Sequence, residues 1–203
     1  MEILHQDKDL AVIVKPVGLE SQAAVPAELE SRLGGTFYPV HRLDLNVGGV
    51  MVYARTKQAA AALSKAIQEG SMVKEYVAMV HGMPEETGDW EDLLFKDSSK
   101  NKVFVVKRMR GGVKKARLTY RRLSAGETSQ VHIRLYTGRS HQIRVQFSSR
   151  GFPLVGDHKY GSKDDAAAPI LFSCRITFPW KGKTCSYEAY PQWVGQSKSE
   201  EET

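Results

Sequence analysis

The chain has 203 residues, of which 41% are hydrophobic and 26% are charged, with a formal net charge of +6 and a pI of about 9.3. This length allows one domain with a substantial core, and no apolar run approaches the roughly 18 residues that a membrane span needs. Two cysteines, Cys174 and Cys185, are too few and too far apart for a zinc knuckle or a disulfide framework. We therefore expect reduced thiols and a cytoplasmic location.

The first part of the sequence predicts short strands and helices. Thr56 is placed to cap the longer helix, Gly34-Gly35 follows the shorter one and Gly70 ends the longer one. The predicted strands are 10–16, 48–54 and 73–82, and the predicted helices are 26–33 and 57–70.

The second part of the sequence is mostly strand. Two runs, 101–109 and 114–123, flank Gly111-Gly112 and predict a hairpin. The run 130–138 alternates apolar and polar residues, and the next segment changes to helical spacing, with Ser140 as the predicted cap and Gly151 as the predicted end. Late strands are predicted at 168–178 and 185–191.

Strands dominate and βαβ alternation is absent, which favours an α+β fold with a mixed, mainly antiparallel sheet. We expect one domain over 1–195, followed by a polar, acidic and disordered tail over 196–203. No repeat or linker divides the chain.

The stretch "VHRLDLNVGGVMVYA" places His41, Arg42 and Asp44 directly before an apolar strand. In extended backbone Arg42 and Asp44 project to one side, so the guanidinium can orient the carboxylate or reach a ligand. The glycine pair Gly48-Gly49 permits a tight turn or the close approach of a ligand. Alone, this pattern also fits a surface ion pair of little energetic value.

A second cluster, "TGRSHQIR" (137–144), lies where a strand is followed by a helix. Its donors, including Arg139, His141, Gln142 and Arg144, converge in a way that suits an anion. A third stretch, "PLVGDHKYGS" (153–162), is weak evidence for a functional site, because it is also typical of an ordinary turn, in which Gly-Asp is a common pair.

Basic residues are concentrated between Lys107 and Arg122, with no acidic residue among them. Such a run is often only a solvated hairpin face, but beside the two donor clusters it favours contact with phosphate.

The sequence lacks the motifs of nucleotide-binding proteins, metal sites and serine hydrolases. The sequence has neither a Walker A motif nor G-x-G-x-x-G, so no nucleotide cofactor is expected. The histidines are scattered without metal-ligand spacing, and no G-x-S-x-G nucleophile elbow is present. We expect neither a metal nor any other cofactor.

The motifs "HRLD", "KEYVAMVHG", "TGRSHQIRV" and "GFPLVGDHKYG", in this order and spacing, closely resemble the RluA-type RNA pseudouridine synthases. The resemblance extends from "LAVIVKPVG" to the last strands, although it leaves no room for the small N-terminal RNA-binding domain of some relatives. It implies the pseudouridine synthase fold, an RNA substrate (rRNA or tRNA) and isomerisation of uridine without a cofactor. We expect a monomer that does not bind membranes.

The resemblance also implies a role for each matching residue. Asp44 matches the catalytic aspartate, which attacks C1′ or C6 of the nucleotide, and Tyr76 matches the tyrosine that packs against the base. Arg144 matches the basic residue that pairs with the aspartate, and Arg42 matches the arginine that holds the flipped nucleotide. The matching residues that line or brace the cleft are His41, Arg139, His141 and Gln142.

Val47-Gly48-Gly49 stands where relatives usually have Thr-Ser-Gly, so two hydroxyls that could brace the catalytic loop are missing. Gln146 and Phe172-Ser173 are further departures, and we interpret all of them as subfamily variation. Two alternatives stay open: a non-catalytic RNA-binding protein on the same fold, and a nucleoside hydrolase that releases free uracil.

Overall fold

Eleven strands, three helices and one 3₁₀ turn are present in the computed structural model, which describes residues 1–194. The predicted tail over 196–203 lies outside the described residues. In chain order the elements are β1 (Glu2–Gln6), β2 (Leu10–Lys15), α1 (Ala24–Leu33), β3 (Tyr38–Pro39), β4 (Gly48–Ala54), α2 (Lys57–Gln68), β5 (Val73–His81), β6 (Thr87–Asp97), β7 (Lys102–Val106), β8 (Val113–Arg122), β9 (Thr128–Leu135), α3 (Gln142–Ser148), the 3₁₀ turn (His158–Tyr160), β10 (Leu171–Trp180) and β11 (Lys183–Glu188).

The described chain forms two compact units. Unit 1 consists of Met1–Glu75 and Phe172–Tyr190, and unit 2 consists of Tyr76–Leu171 and the chain from Pro191. The single domain predicted over 1–195 stays a prediction. No helix in the described part of the chain is long and apolar enough to cross a membrane.

In unit 1 the strands β1, β2 and β4 pair in antiparallel order, and β3 also pairs with β4. Strand β4 pairs in parallel with β10, which forms an antiparallel hairpin with β11. The amphipathic spacing of α2 places Ala59, Leu63 and Ala66 in the core with the sheet. Thr56 accepts the Ala59 N–H at 3.1 Å, which confirms the predicted cap.

In unit 2 the strand order is β9-β8-β6-β7, with β5 next to β9. The pairs β9–β8, β8–β6 and β6–β7 are all antiparallel. Helix α3 packs on this sheet through Val145, which shares a core cluster with Leu94, Val103, Ala116 and Tyr160. The alternation in β9 is as predicted, because Val131, Ile133 and Leu135 are all buried.

The α+β fold with a mixed, mostly antiparallel sheet is therefore confirmed, but the hairpin predicted across Gly111-Gly112 is wrong. Strands β7 and β8 do not pair with each other: both pair with β6, which lies between them. Strand β6 and the short strands β1 and β3 were not predicted from the sequence.

The cap and the end predicted for α3 are also wrong. The residue that precedes the helix is His141, whose backbone is left-handed (φ 51°), and its side chain makes no capping hydrogen bond. The helix ends at Ser148 rather than continuing to Gly151.

Candidate active site

The loop between β3 and β4 carries three of the predicted site residues in unit 1: His41, Arg42 and Asp44. Arg42 is exposed, whereas Leu43 is 5% exposed. Arg42 and Leu43 therefore face solvent and core as the extended pattern predicts, but the alternation ends at the aspartate, because Leu45 is also exposed.

The peptide that precedes Asp44 is held by a buried serine. Ser21 Oγ donates to the Leu43 carbonyl at 2.8 Å and accepts the Leu43 N–H at 3.2 Å. The Tyr53 hydroxyl donates to the Ser21 carbonyl at 2.8 Å, so the serine is itself fixed. One small side chain thus satisfies both backbone groups of Leu43.

The residue that follows Asp44 is held by two donors. The Leu45 carbonyl accepts the Gly18 N–H at 2.9 Å and the Lys15 ammonium at 3.4 Å. The Val47 N–H donates to the Asp44 carbonyl at 3.0 Å and closes the turn. Asp44 is therefore displayed from a backbone that is fixed on both sides, which is the kind of support that a reactive side chain needs.

Lys15 is fully buried at the end of β2. Besides the Leu45 carbonyl, its ammonium donates to the carbonyls of Pro16 at 2.9 Å and Leu19 at 2.8 Å. Burial lowers the pKa of Lys15 to about 8, against the opposing effect of the carboxylates of Glu20 and Asp44.

His41 braces the loop against β4. Its Nε2 atom accepts the Val52 N–H at 3.2 Å, which places the ring hydrogen on Nδ1. That Nδ1 atom is buried and has no hydrogen-bond partner within the described residues. Burial, and to a lesser extent the charge of Lys74, lowers the pKa of His41 to about 3, so the ring is neutral at physiological pH.

Position 49 must be glycine because the neighbouring strand β10 leaves no room for a side chain. Its φ is 126°, and a Cβ atom at this position would lie 2.3 Å from the Ser173 carbonyl oxygen of β10. Ser173 is its register partner in the parallel pairing of β4 with β10. The close approach that the sequence suggested is thus made by β10 and not by a ligand.

In unit 2, Arg144 forms a buried bidentate ion pair with Asp157. Its Nε donates to Oδ2 and its Nη2 donates to Oδ1, both at 2.7 Å. The side chain of Asp157 is 1% exposed and that of Arg144 is 11% exposed. Parallel bonds of this kind fix the plane of the guanidinium as well as its position.

Tyr160 also contacts the Arg144 guanidinium. The guanidinium carbon lies 5.1 Å from the centre of the tyrosine ring, within cation–π range. The Tyr160 hydroxyl accepts the Val103 N–H of β7 at 2.8 Å and bonds His141 Nδ1 at 2.8 Å. His141, the left-handed residue before α3, is therefore tied to β7 through one hydroxyl.

Gln142 is a bracing residue of the strand-to-helix junction, because it is 3% exposed and all its bonds are internal. Its Oε1 accepts the Thr137 hydroxyl at 2.8 Å and the Arg139 N–H at 3.0 Å. Its Nε2 donates to the Arg117 carbonyl at 3.1 Å. Arg139 itself is exposed, and its Nε donates to the Lys115 carbonyl at 2.8 Å.

Tyr76 lies on β5 in unit 2 and is 6% exposed. It shares that unit with Arg144, whereas Asp44 belongs to unit 1. The pairing of Asp44 with Arg144 stays a prediction from the resemblance. Among the residues 1–194, no group of three or more His, Cys, Asp or Glu side chains is placed to hold a metal ion.

Four residues with a part in this arrangement were not predicted: Lys15, Ser21, Asp157 and Tyr160. The one available signal for Lys15 was a lysine at the end of an apolar strand. The signals for Asp157 and Tyr160 were in the third motif, which also fits an ordinary turn.

The family model for RNA pseudouridylate synthase matches residues 9–149 of this chain. The dual-specificity RNA pseudouridine synthase RluA of Escherichia coli K12 is 34% identical over 203 aligned residues, which cover 92% of this chain and 91% of the relative. The chain belongs to the RNA pseudouridylate synthase family.

Other members of this family differ in length. The ribosomal large subunit pseudouridine synthase D of Zymomonas mobilis is 33% identical, and the alignment covers 85% of this chain but only 60% of the relative. An uncharacterized RNA pseudouridine synthase of Aquifex aeolicus is 32% identical, with the same coverage of 85% and 60%. These names denote an isomerase activity, so the prediction of a pseudouridine synthase is confirmed at the level of the family.

Solved structures of family members confirm the fold. Human RNA pseudouridylate synthase domain containing 4 superposes with a TM-score of 0.78 at 26% identity, covering 94% of this chain and 89% of that chain. Human RNA pseudouridylate synthase domain containing 1 has a TM-score of 0.84 at 21% identity, covering 96% and 85%.

Proposed function

We propose that this chain isomerises uridine in RNA to pseudouridine, with Asp44 as the nucleophile. The observation that carries the proposal is the support of Asp44: Ser21 holds the residue before it, and Lys15 and Gly18 hold the residue after it. This support is found in the "HRLD" loop of a chain that belongs to the RNA pseudouridylate synthase family. The role of Asp44 is taken from the resemblance and is supported by this geometry.

The reaction exchanges one glycosidic bond for another. The bond between N1 and C1′ breaks, the uracil rotates, a bond between C5 and C1′ forms, and the proton on C5 is exchanged for one on N1. Attack by the Asp44 carboxylate at C1′ or at C6 is compatible with this balance, which requires no oxidant, reductant or water. Tyr76 is the residue proposed to pack against the base and to assist the loss of the C5 proton.

A carboxylate nucleophile must stay ionised in a site that excludes water. A neighbouring guanidinium favours the ionised form, and the resemblance assigns this role to Arg144. The fork of Asp157 and the ring of Tyr160 hold this guanidinium in a defined plane. Arg144 therefore acts from a preorganised position, which avoids reorganisation during the reaction.

Chemistry on a base inside folded RNA requires the nucleotide to be flipped out, at a cost of a few kcal/mol. Arg42 is exposed on the same loop as Asp44, where it suits the role of holding the displaced nucleotide. His41 and Gln142 support the backbone around the reacting residues. We propose RNA, as rRNA or tRNA, as the substrate, and a cytoplasmic monomer as the acting form.

The non-catalytic alternative rested on the replaced Thr-Ser-Gly segment. The structure accounts for that segment by packing, because Val47 is 2% exposed and Gly49 contacts β10. Lys15 and Ser21 supply bracing that does not depend on hydroxyls at positions 47 and 48. The alternative therefore loses the observation that favoured it.

The experiment compares wild type with Asp44→Asn and with the loop control Asn46→Ala on unmodified tRNA and rRNA transcripts. Chemical mapping of pseudouridine should give a modified site with wild type and with Asn46→Ala, and none with Asp44→Asn, while all three bind RNA. Modification by Asp44→Asn overturns the role of Asp44. RNA binding without modification by wild type favours a binding protein, and release of free uracil favours a hydrolase.

A further inference from the structure

The neighbouring basic residues of β6 and β8 lie on both faces of the sheet in unit 2. In the antiparallel register of β6 with β8, Glu91 is opposite Arg117 and Leu94 is opposite Lys114. Because side chains alternate between faces, Lys114 and Lys115 point to opposite sides of the sheet.

Two neighbouring cations on the outer face, away from α3, are paired with carboxylates. Lys115 Nζ lies 3.6 Å from Glu91, and Arg117 donates two hydrogen bonds to Asp89 at 2.9 and 2.7 Å. These charges are already compensated within the protein.

Two lysines on the inner face, which carries α3, are not compensated in this way. Leu94 and Ala116 on this face pack with Val145 of α3, which identifies the side. Lys96 on β6 and Lys114 on β8 lie on this face, on two strands that pair directly with each other. Within residues 1–194 neither lysine makes an ion pair with an acidic side chain.

These two lysines line a cavity of about 170 Å³. Its walls are Leu94, Lys96, Val103, Gly112, Lys114, Gly138, Arg139 and Ser140. A single water needs only about 10–15 Å³ on the same scale, so a group of the size of a phosphate fits. Arg139 is anchored through Nε to the Lys115 carbonyl, and within the described chain its two terminal amines bond no acceptor.

The cavity is linked to the residues that contact Arg144 through Val103 and Tyr160. Val103 forms one of its walls, and the N–H of that same residue donates to the hydroxyl of Tyr160, whose ring faces the Arg144 guanidinium. A group bound in the cavity is therefore next to the elements that hold Arg144.

We propose that this cavity binds a backbone phosphate of the RNA substrate beside the target uridine, through Lys96, Lys114 and Arg139. The inference rests on the proposed function for the identity of the polyanion. Three positively charged side chains around a concave site attract the negative charge of a phosphodiester. A contact with the phosphate fixes the position of the RNA strand without recognising its base sequence.

The test uses the full chain and a short fluorescein-labelled RNA stem-loop with uridine in its loop. Lys114→Gln and Lys115→Gln remove the same charge from adjacent exposed positions of β8, so the second variant is a matched control for the first. Lys96→Gln on β6 tests the same cavity from a different strand. The midpoint of thermal unfolding confirms that each variant is folded.

Fluorescence anisotropy measured at several salt concentrations should separate the two faces. Lys114→Gln and Lys96→Gln should each reduce the slope of log K against log salt, and the double variant should reduce it by roughly 0.7–0.9, the value for one phosphate contact. Together they should weaken the apparent Kd at least about tenfold. Lys115→Gln should leave both quantities close to those of wild type.

Phosphate-ethylation interference gives the location of the contact on the RNA. Wild type should show interference at a phosphate next to the modified uridine, and Lys114→Gln should lose it. Equal effects of Lys114→Gln and Lys115→Gln, or interference that persists in Lys114→Gln, overturn the cavity as the phosphate site. Absence of RNA binding by wild type overturns the proposed function as well, so the two failures are distinguishable.

Discussion

Arg144 and Asp157 form a buried fork in which two parallel hydrogen bonds of 2.7 Å join the guanidinium to the carboxylate. The resemblance assigns Arg144 to the chemistry, whereas Asp157 was read from sequence only as part of a turn. The two residues therefore have different roles. Arg144 presents its positive charge to the reaction, and Asp157 determines the position of that guanidinium.

Asp157→Asn tests this separation. The amide keeps the shape but removes the negative charge of the fork, and breaking a buried pair in this way typically costs about 3–5 kcal/mol of the free energy of unfolding. Urea denaturation should show this loss. RNA affinity should stay near the wild-type value while kcat falls, because the guanidinium loses its orientation.

The matched control is Glu188→Gln, which alters an exposed pair in which Nε and Nη2 of Arg175 both donate to Glu188 Oε2, and it should cost less than about 1 kcal/mol. A wild-type kcat in Asp157→Asn would show that Asp157 has only a structural part.

Tyr160→Phe removes one hydroxyl and keeps the ring that faces Arg144. The buried Val103 N–H loses its hydrogen-bond partner, and an unsatisfied buried group costs about 1–3 kcal/mol. We expect a lower urea midpoint with an unchanged m-value. The control Tyr136→Phe alters an exposed ring and should leave the midpoint unchanged. Equal midpoints for Tyr160→Phe and wild type would contradict the bridging role of the hydroxyl.

His41 should remain neutral in the folded protein. Burial holds its pKa at about 3, so its ring resonances in an NMR titration should not shift between about pH 8 and about pH 5. His158 is an internal control, because it is exposed and hydrogen bonds from its ring to the carbonyls of Ala166 and Ser162 raise its pKa. Its resonances should titrate with a pKa raised above the ordinary histidine value. Titration of His41 near pH 6 would contradict its bracing role.

The elements that the sequence predicts well are those whose contacts are local or follow one period. Strand β4 is entirely buried and reads as an apolar run, and α2 carries its apolar residues at helical spacing between a cap and a glycine. Their form depends on neighbours a few residues away, which the sequence displays directly.

Strand β6 could not be read in this way, because it has acidic side chains on both faces. Asp89 and Glu91 face Arg117 and Lys115 on one side, and Asp92 bonds Arg150 on the other. These partners follow much later in the chain, so the compensation of charge is invisible to a local pattern. Missing β6 made β7 and β8 look like a hairpin.

The candidate site divides in the same manner. Asp44, Arg144 and their neighbours were found through motifs, whereas the residues that hold them are defined by tertiary contacts. Ser21 lies far before Leu43 in the sequence, and the serine was not distinguishable from any other polar residue of a loop. The left-handed backbone of His141 likewise has no sequence pattern, since such a conformation favours glycine or asparagine.

Gly49→Ala tests the interpretation of the glycine pair. A methyl group would meet the Ser173 backbone at 2.3 Å, in a backbone conformation that alanine rarely adopts. Neither strand can yield without breaking the β4–β10 pairing, so we expect a loss of more than about 2 kcal/mol in the free energy of unfolding. Gly111→Ala is the control, because a Cβ there meets nothing within 4 Å. A fully stable Gly49→Ala protein would contradict the packing explanation.

Lys15 offers a test by pH, because its amine is buried with a pKa of about 8 against an ordinary value of 10.5. Below about pH 8 the amine is charged in both the folded and the unfolded chain, so the cost of burying the charge is fully present. Between about pH 8 and pH 10.5 the unfolded chain binds more protons than the folded one, and stability then rises with pH.

Lys15→Met removes this titration, so the free energy of unfolding of wild type minus that of Lys15→Met should increase across this range. The increase should be at most about 3 kcal/mol. Urea denaturation at a series of pH values measures it, and Lys183→Met, which removes an exposed amine, should show no such rise. A constant difference across the series would mean that Lys15 stays charged, and its three carbonyl partners would then suffice to stabilise an ammonium in the core.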